Sequence, residues 1–292
     1  TNRETRKGGF DKVVVANGEK YGYTDVAIQA ALHALPATGG KVYIPEGTWT
    51  ITAPITRAIN NVTIEGAGYN TILTCSGASS KCISIANDNW VIKSLRINSS
   101  GSGSKGIELT NISNSNTIKE CYFLCSNGGG DNSSIECEGQ HNIITNNQFV
   151  MTQGYGIYLI TNGVRNIMSH NVFVFVETIT GTTRGIFLNG ADSNAISGNI
   201  FTSVSLNNAQ SQYGIYFGLT GDRNIISSNI FSGIANAGAG NGYSIDWNAA
   251  TNASENIIVS NNFSGNDIND ITSGTNTLYV VPNAANDPLN NL

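Results

Sequence analysis

Short runs in which apolar residues alternate with polar ones return in a fixed order along most of the chain. The clearest unit is Asn142 to Phe149, NIITNNQF. Related octets begin at Asn116 (NTIKECYF), Asn166 (NIMSHNVF), Asn194 (NAISGNIF), Asn224 (NIISSNIF) and Asn256 (NIIVSNNF), with a degenerate copy, NWVIKSLRI, from Asn89. A second run precedes each octet: CISI from Cys82, GIEL from Gly106, SIEC from Ser134, GIYL from Gly156, GIFL from Gly185, GIYF from Gly214 and SIDW from Ser244. The period is 24 to 32 residues. Alternation of this kind predicts strands with one face buried, and the Asn, Gly and Ser between them predict turns. A strand-turn unit recurring at this spacing predicts a solenoid of stacked coils. Phe123, Phe149, Phe173, Phe201, Phe231 and Phe263 then fill the core, and the two asparagines of each octet stand at coil corners, where stacked amides hydrogen-bond from coil to coil.

Ahead of the repeat the pattern changes. A polar arm, Thr1 to Gly9, leads into a strand at Lys12 to Ala16. The spacing of Ala27, Ile28, Ala31 and Leu35 predicts a helix over Asp25 to Leu35, with Thr24 as its N-cap and Pro36 ending it. An amphipathic helix in this place covers the apolar end of the first coil. The chain therefore divides into an arm, strand and capping helix over residues 1–40, coils over 41–266, and a C-terminal segment over 267–292 that loses the repeat and caps the last coil or crosses to a neighbour.

Composition adds exclusions. Only 12% of the 292 residues are charged and the formal net charge is −5, which leaves no basic footprint for nucleic acid. No apolar run is long enough to span a membrane, and no signal peptide is visible at Thr1. The five cysteines fall where the repeat uses small buried residues: Cys121 replaces the second asparagine and Cys137 an inward Leu or Phe. If any bridge forms, Cys75 and Cys82 are the pair.

Strand parity separates inward from outward positions. With Ile157 and Leu159 inward, Tyr158 faces out, and the same slot in the other coils holds Ser84, Glu108, Glu136, Phe187, Tyr216 and Asp246. Two residues before each inward Ile stand Lys81, Lys105, Ser133, Tyr155, Arg184, Tyr213 and Tyr243. Coils ~4.8 Å apart would align these into a ribbon of rings, carboxylates and a few cations. Such a ribbon is a groove for an extended glycan, a subunit interface, or solvated surface. As a glycan groove its binding residues are Lys105, Tyr155, Tyr158, Arg184, Phe187, Tyr213, Tyr216 and Asp246. Glu108 and Glu136, on neighbouring coils, would stand roughly 5 Å apart, the separation of the acid and the nucleophile in retaining glycosidases. The same pair could hold Ca²⁺ together with Asp131 or Glu138, or be a surface pair without function. No other cofactor is expected. His33, His141 and His170 are too dispersed for a zinc site, and neither a GxSxG elbow nor a Gly-rich phosphate loop occurs.

The run DVAIQAALHALPATGGKVYIPEGTWTI followed by NVTIEGAG resembles the N-terminal capping segment of the pectate-lyase-like superfamily, and with the later coils the resemblance covers nearly the whole chain. It implies an all-β fold, a right-handed single-stranded parallel β-helix with an N-terminal capping helix. It does not imply one reaction, because lyases, glycoside hydrolases, esterases, epimerases and virion receptor-binding proteins share this fold. The NTD, GDD and GHG runs of polygalacturonase-like hydrolases and the DPHE run of alginate epimerases are absent. For a lyase, Lys105, Tyr155 and Arg184 are available as base and charge neutraliser. The expected function is binding, with or without cleavage, of an extracellular polysaccharide or cell-surface glycan by a secreted or virion-associated protein. The alternative is a non-catalytic structural or receptor-binding protein of a phage tail or cell surface. Outward columns of Ile143, Ile167, Ile225 and Ile257, of Val172, Ile200 and Ile230, and of Val150 and Val174 suggest an interface. With the resemblance, they point to a homotrimer.

Overall fold

The computed structural model describes residues 12–77, 80–126, 132–176, 182–204, 211–219, 221–234, 242–246 and 255–263, with the backbone of a further strand at Tyr279–Val281. The expected polar arm, and the C-terminal cap or tail apart from that strand, lie outside the described residues.

The protein is a right-handed parallel β-helix of about 8 turns, and every strand pair among the described residues is parallel. Each coil between Val62 and Asp246 contributes one strand to each of three sheets. In the coil of the clearest repeat these are Ile143–Thr145, Gln148–Met151 and Gly154–Ile160. They stack in register on Ile167–Ser169, Val172–Phe175 and Thr183–Asn189 of the next coil. The sheets containing these strands are called here the first, second and third.

Two kinds of stack set the register. The first is apolar: Phe123, Phe149, Phe173, Phe201, Phe231 and Phe263 lie ring on ring, with centroids 4.7 to 5.2 Å apart and planes within 8° of parallel. The second is the pair of asparagine ladders. The Oδ1 of Asn142, Asn166, Asn194, Asn224 and Asn256 each accepts the backbone N–H of the corresponding asparagine one coil earlier, at 2.8 to 2.9 Å. In the other ladder Asn171, Asn199, Asn229 and Asn261 do the same for Asn147, Asn171, Asn199 and Asn229. Each Nδ2 of this ladder also donates to a carbonyl of the preceding coil, as Asn199 does to Met168 at 2.9 Å. Corner backbone groups that water cannot reach are thereby satisfied.

The residue before each rung turns the corner in the left-handed conformation: His141, Arg165, Ser193, Arg223 and Glu255 at one corner, Asn146, His170, Gly198, Ser228 and Ser260 at the other, all with φ between 55° and 65°. None of these is β-branched, as this region of backbone space requires.

The capping helix spans Asp25–His33, with Ala27, Ile28, Ala31 and Leu32 buried against the first coil. A strand at Val13–Val15 precedes it and pairs with Gly40–Ile44. Both match expectation to within a residue or two. The short helix Gly18–Tyr21, with Asn17 capping it, was not expected. Thr24 stands at the N-cap of the longer helix without making a side-chain cap bond. Instead the Asp25 carboxylate accepts both the N–H and the hydroxyl of Thr52 at 3.0 Å, fastening the cap to the coil. Arg57 closes the other end by donating to the carbonyls of Leu32 and Leu35.

Outside the core, Ile143, Ile167, Ile225, Ile200 and Ile230 are 37 to 43% exposed, so the two expected isoleucine columns lie on the surface. Ile257, Val150, Val172 and Val174 are half-buried.

Candidate functional site

The third sheet carries the candidate site. Its strands are Lys81–Ile85, Lys105–Leu109, Ser133–Cys137, Gly154–Ile160, Thr183–Asn189, Gln212–Phe217 and Gly242–Asp246. Both outward columns are in the predicted register. Ser84, Glu108, Glu136, Tyr158, Phe187, Tyr216 and Asp246 are successive Cα partners, as are Lys81, Lys105, Ser133, Tyr155, Arg184, Tyr213 and Tyr243.

The columns meet side by side and divide the ribbon into two zones. In the aromatic zone, Tyr158 stacks on Phe187 with centroids 4.8 Å apart and planes 14° from parallel, and Tyr155 packs against both rings at 5.1 Å. Phe187 meets Tyr216 edge to face at 5.2 Å, Tyr216 meets Tyr213 at 4.9 Å, and Tyr213 stacks on Tyr243 at 5.4 Å. The guanidinium of Arg184 lies among four of these rings, 4.3 Å from the Tyr216 centroid and 4.9 Å from that of Phe187. Asn189 donates to the Tyr158 hydroxyl at 2.9 Å. The ring of Phe187 passes directly over Gly218, where a Cβ would come within 2.4 Å of it.

In the charged zone, lysines and glutamates alternate. Lys81 pairs with Glu108 at 2.5 Å, and Lys105 reaches both Glu108, at 3.4 Å, and Glu136. Ser84 donates a hydrogen bond to Glu108 at 2.7 Å. Burial pushes the Glu108 carboxyl up, but Lys81, Ser84 and Lys105 together outweigh it and hold the group below the usual carboxylate range. For Glu136 burial wins over Lys105, and the Glu108 and Glu138 charges add to it, so its carboxyl titrates above that range. Burial would lower the Lys105 ammonium, yet Glu136 and Glu108 raise it overall. Tyr213 is raised, by burial first.

Outward orientation does not mean exposure here. Tyr155, Phe187, Glu108, Glu136 and Asp246 are all buried, so the ribbon is packed material as well as surface. Lys81, Ser84 and Asn189 join the expected residues. Lys81 and Ser84 were visible in the repeat columns; Asn189, two residues beyond Phe187 on the strand next to that of Tyr158, carries no sequence signal. Gly156, Gly185 and Gly214 have one, since they recur in the GI(Y/F) runs. A Cβ at each would stand 2.7 to 2.8 Å from a Phe ring of the core stack.

The thiols are structural. Burial pushes Cys121 and Cys137 up to about 12 and Cys125 up to about 11. Cys121 Sγ points at the carbonyl of Ile92, the contact that the ladder asparagines make with an amide. Cys75 is the exception, lowered to about 7 by its hydrogen bond with Cys82. Both are free thiols. Asp131, a candidate calcium ligand, lies outside the described residues.

A family profile described as periplasmic copper-binding protein (NosD) matches residues 127–272, half of the chain. No curated protein matches the chain in sequence. Among solved structures, a PL6 alginate lyase in complex with a trisaccharide is similar over 89% of this chain and 61% of its own, at 14% identity and a TM-score of 0.59. The surface adhesin PfbA of Streptococcus pneumoniae is similar over 92% of this chain and 82% of its own, at 14% identity and a TM-score of 0.58. A tailspike protein of E. coli bacteriophage HK620, in complex with a pentasaccharide, is similar over 84% of this chain and 48% of its own, at 13% identity and a TM-score of 0.55. The chain thus spans about 61% of the length of the alginate lyase and less of the tailspike. Likeness at these identities shows the fold alone.

Copper is held by imidazole, thiolate and thioether groups brought together. Among the described residues no three His, Cys, Asp or Glu side chains converge, and the two methionines, Met151 and Met168, are buried in the core. The described residues do not fit a copper site.

Proposed function

From a chain that belongs to the family described as periplasmic copper-binding protein (NosD), a family of right-handed β-helices, we propose a glycan-binding protein that works outside the cytoplasm and uses its third sheet as the groove. The observation that carries this reading is the run of rings Tyr158, Phe187 and Tyr216, one per coil in strict register, with Tyr155, Tyr213 and Tyr243 alongside. Aromatic faces are electron-rich and apolar and suit the C–H faces of sugars, while the buried carboxylates at either end offer acceptors for hydroxyls. The coil spacing of ~4.8 Å repeats the platform at about the length of one hexose in an extended glycan. Neighbours that share the fold include proteins with oligosaccharides bound, which supports the reading.

A second reading adds cleavage, and the opposite titration of Glu136 and Glu108 favours it. Glu136, protonated more readily, would give its proton to the glycosidic oxygen. Glu108, held anionic, would attack the anomeric carbon from the next coil, at the ~5 Å separation of retaining enzymes. Incubation with acidic and neutral polysaccharides separates the two readings. Reducing ends without unsaturated uronate absorbance mean hydrolysis, both signals mean a lyase, and retention on the polysaccharide without either means a binder. No retention and no products on any member of the panel would overturn both readings.

The exposed isoleucines support a further part of the proposal, lateral association into a homotrimer. Each apolar area covered contributes ~25 cal/mol per Å², and columns of this length on a polar surface mark an interface. Closed cyclic symmetry would let one face serve all three copies.

A further inference from the structure

We propose that Arg184 selects for a negatively charged substituent on the bound glycan, a carboxylate or sulfate, which its guanidinium pairs with in the middle of the aromatic zone. This rests on the groove reading above and narrows its ligand.

Three observations carry it. The guanidinium carbon lies 4.3 to 5.5 Å from the centroids of Tyr216, Phe187, Tyr155 and Tyr213, so rings surround the cation. Among the described residues Arg184 makes no ion pair, and its Nε is buried without a hydrogen-bond partner. Lys81 and Lys105, on the same sheet, each have a glutamate. Along the outward column the nearest described acids are Glu136 and Asp246, each two strands from Phe187 in the coil of Arg184, roughly 10 Å at the spacing of adjacent strands.

The chemistry follows from the shape of the group. A partly buried cation without a counter-charge is costly, and ring faces offset only part of that cost. A guanidinium stacked on rings keeps its N–H groups in its own plane, where they make two parallel bonds to one oxyanion. Rings that bind the sugar faces and an Arg edge that waits for an anion fit a uronate or sulfated residue better than a neutral one. Neutral hydroxyls would leave the charge uncompensated.

The test uses the full chain and matched probes: oligogalacturonate against its methyl ester, and dextran sulfate oligomers against dextran oligomers, titrated at low and high salt. The expected result is that at least one charged probe binds tenfold or more tightly than its neutral partner, with the advantage shrinking as salt rises. Which pair responds distinguishes carboxylate from sulfate. Within Arg184→Gln the charged and neutral probes should bind alike, and Arg184→Lys, which keeps the charge but not the fork, should retain only part of the advantage. Equal binding of charged and neutral probes by the parent protein, or an advantage that survives in Arg184→Gln with an unchanged circular dichroism spectrum, overturns the role of Arg184 and leaves the groove standing. Failure of every probe to bind overturns both.

Discussion

Glu108 and Glu136 are Cα partners on adjacent strands and share the ammonium of Lys105, yet they titrate in opposite directions. The second lysine decides it: Lys81 and Ser84 add to Lys105 at Glu108 and not at Glu136.

This split makes a pH prediction with two windows on either side of the ordinary value of 4.5. Glu108, lowered in the folded state, contributes stability that is present above 4.5 and is lost as pH falls through its folded value. Glu136, raised, does the reverse, since the folded state holds its proton longer and stability falls as pH rises from 4.5 through the folded value. Urea midpoints measured from pH 3 to 7 should therefore lose part of their acid-side slope in Glu108→Gln and part of their decline above 4.5 in Glu136→Gln. Parallel curves for parent and both variants would mean the carboxyls titrate normally.

The ladders predict a contrast between two substitutions. Asn199→Ala removes the acceptor for the Asn171 N–H at 2.9 Å and the amide that reaches Met168 O, leaving buried groups unpaired. At ~1–3 kcal/mol for each of the two groups, a loss of about 2–6 kcal/mol is expected. Cys121→Asn restores the missing rung, whose thiol now reaches Ile92 O only at 3.8 Å, and should be neutral or stabilising by up to ~1 kcal/mol. Chemical denaturation of both variants checks the pair.

Gly218 predicts a change in binding without a change in fold. A methyl there meets atoms of the Phe187 ring at 2.4 and 2.6 Å, a side chain that can move, rather than backbone. Gly218→Ala should shift Phe187 off its stack with Tyr158 and weaken glycan binding severalfold, at a stability cost of about 1–3 kcal/mol. Unchanged affinity would place the ligand away from Phe187.

Sedimentation at micromolar concentration should give about three times the 30.8 kDa of one chain. Ile200→Lys together with Ile230→Lys, both exposed and in register, should lower it. A monomeric parent would show that these columns lie in water or are covered by the chain's own segments.

What was legible in the sequence was whatever repeats. Strand parity placed Tyr158, Phe187 and Tyr216 in one column and Tyr155, Arg184 and Tyr213 in the other, because a register slip would turn every Phe of the core outward. The ladders were legible because the asparagines recur, and the capping helix because its apolar spacing is helical. Features that occur once were not. Thr24 looked like a cap, but Asp25 found Thr52, 27 residues away. The burial of Glu108, Glu136 and Phe187 was hidden because parity tells direction and not what lies over a side chain. The opposite states of the two glutamates depend on where flexible lysine tips come to rest, which no spacing encodes.

The central claim is that the aromatic zone is the glycan site, and calorimetric titration of the parent and of Tyr158→Ala/Tyr216→Ala with whichever glycan the parent retains tests it most directly. Both rings are half-buried, Tyr158 stacked on Phe187 and Tyr216 edge-on to it, so a loss of a few kcal/mol of stability is expected and the variant must first be shown to be folded. The prediction is saturable binding by the parent and a tenfold or greater loss in the folded double variant. Equal affinity in the two proteins would contradict the account.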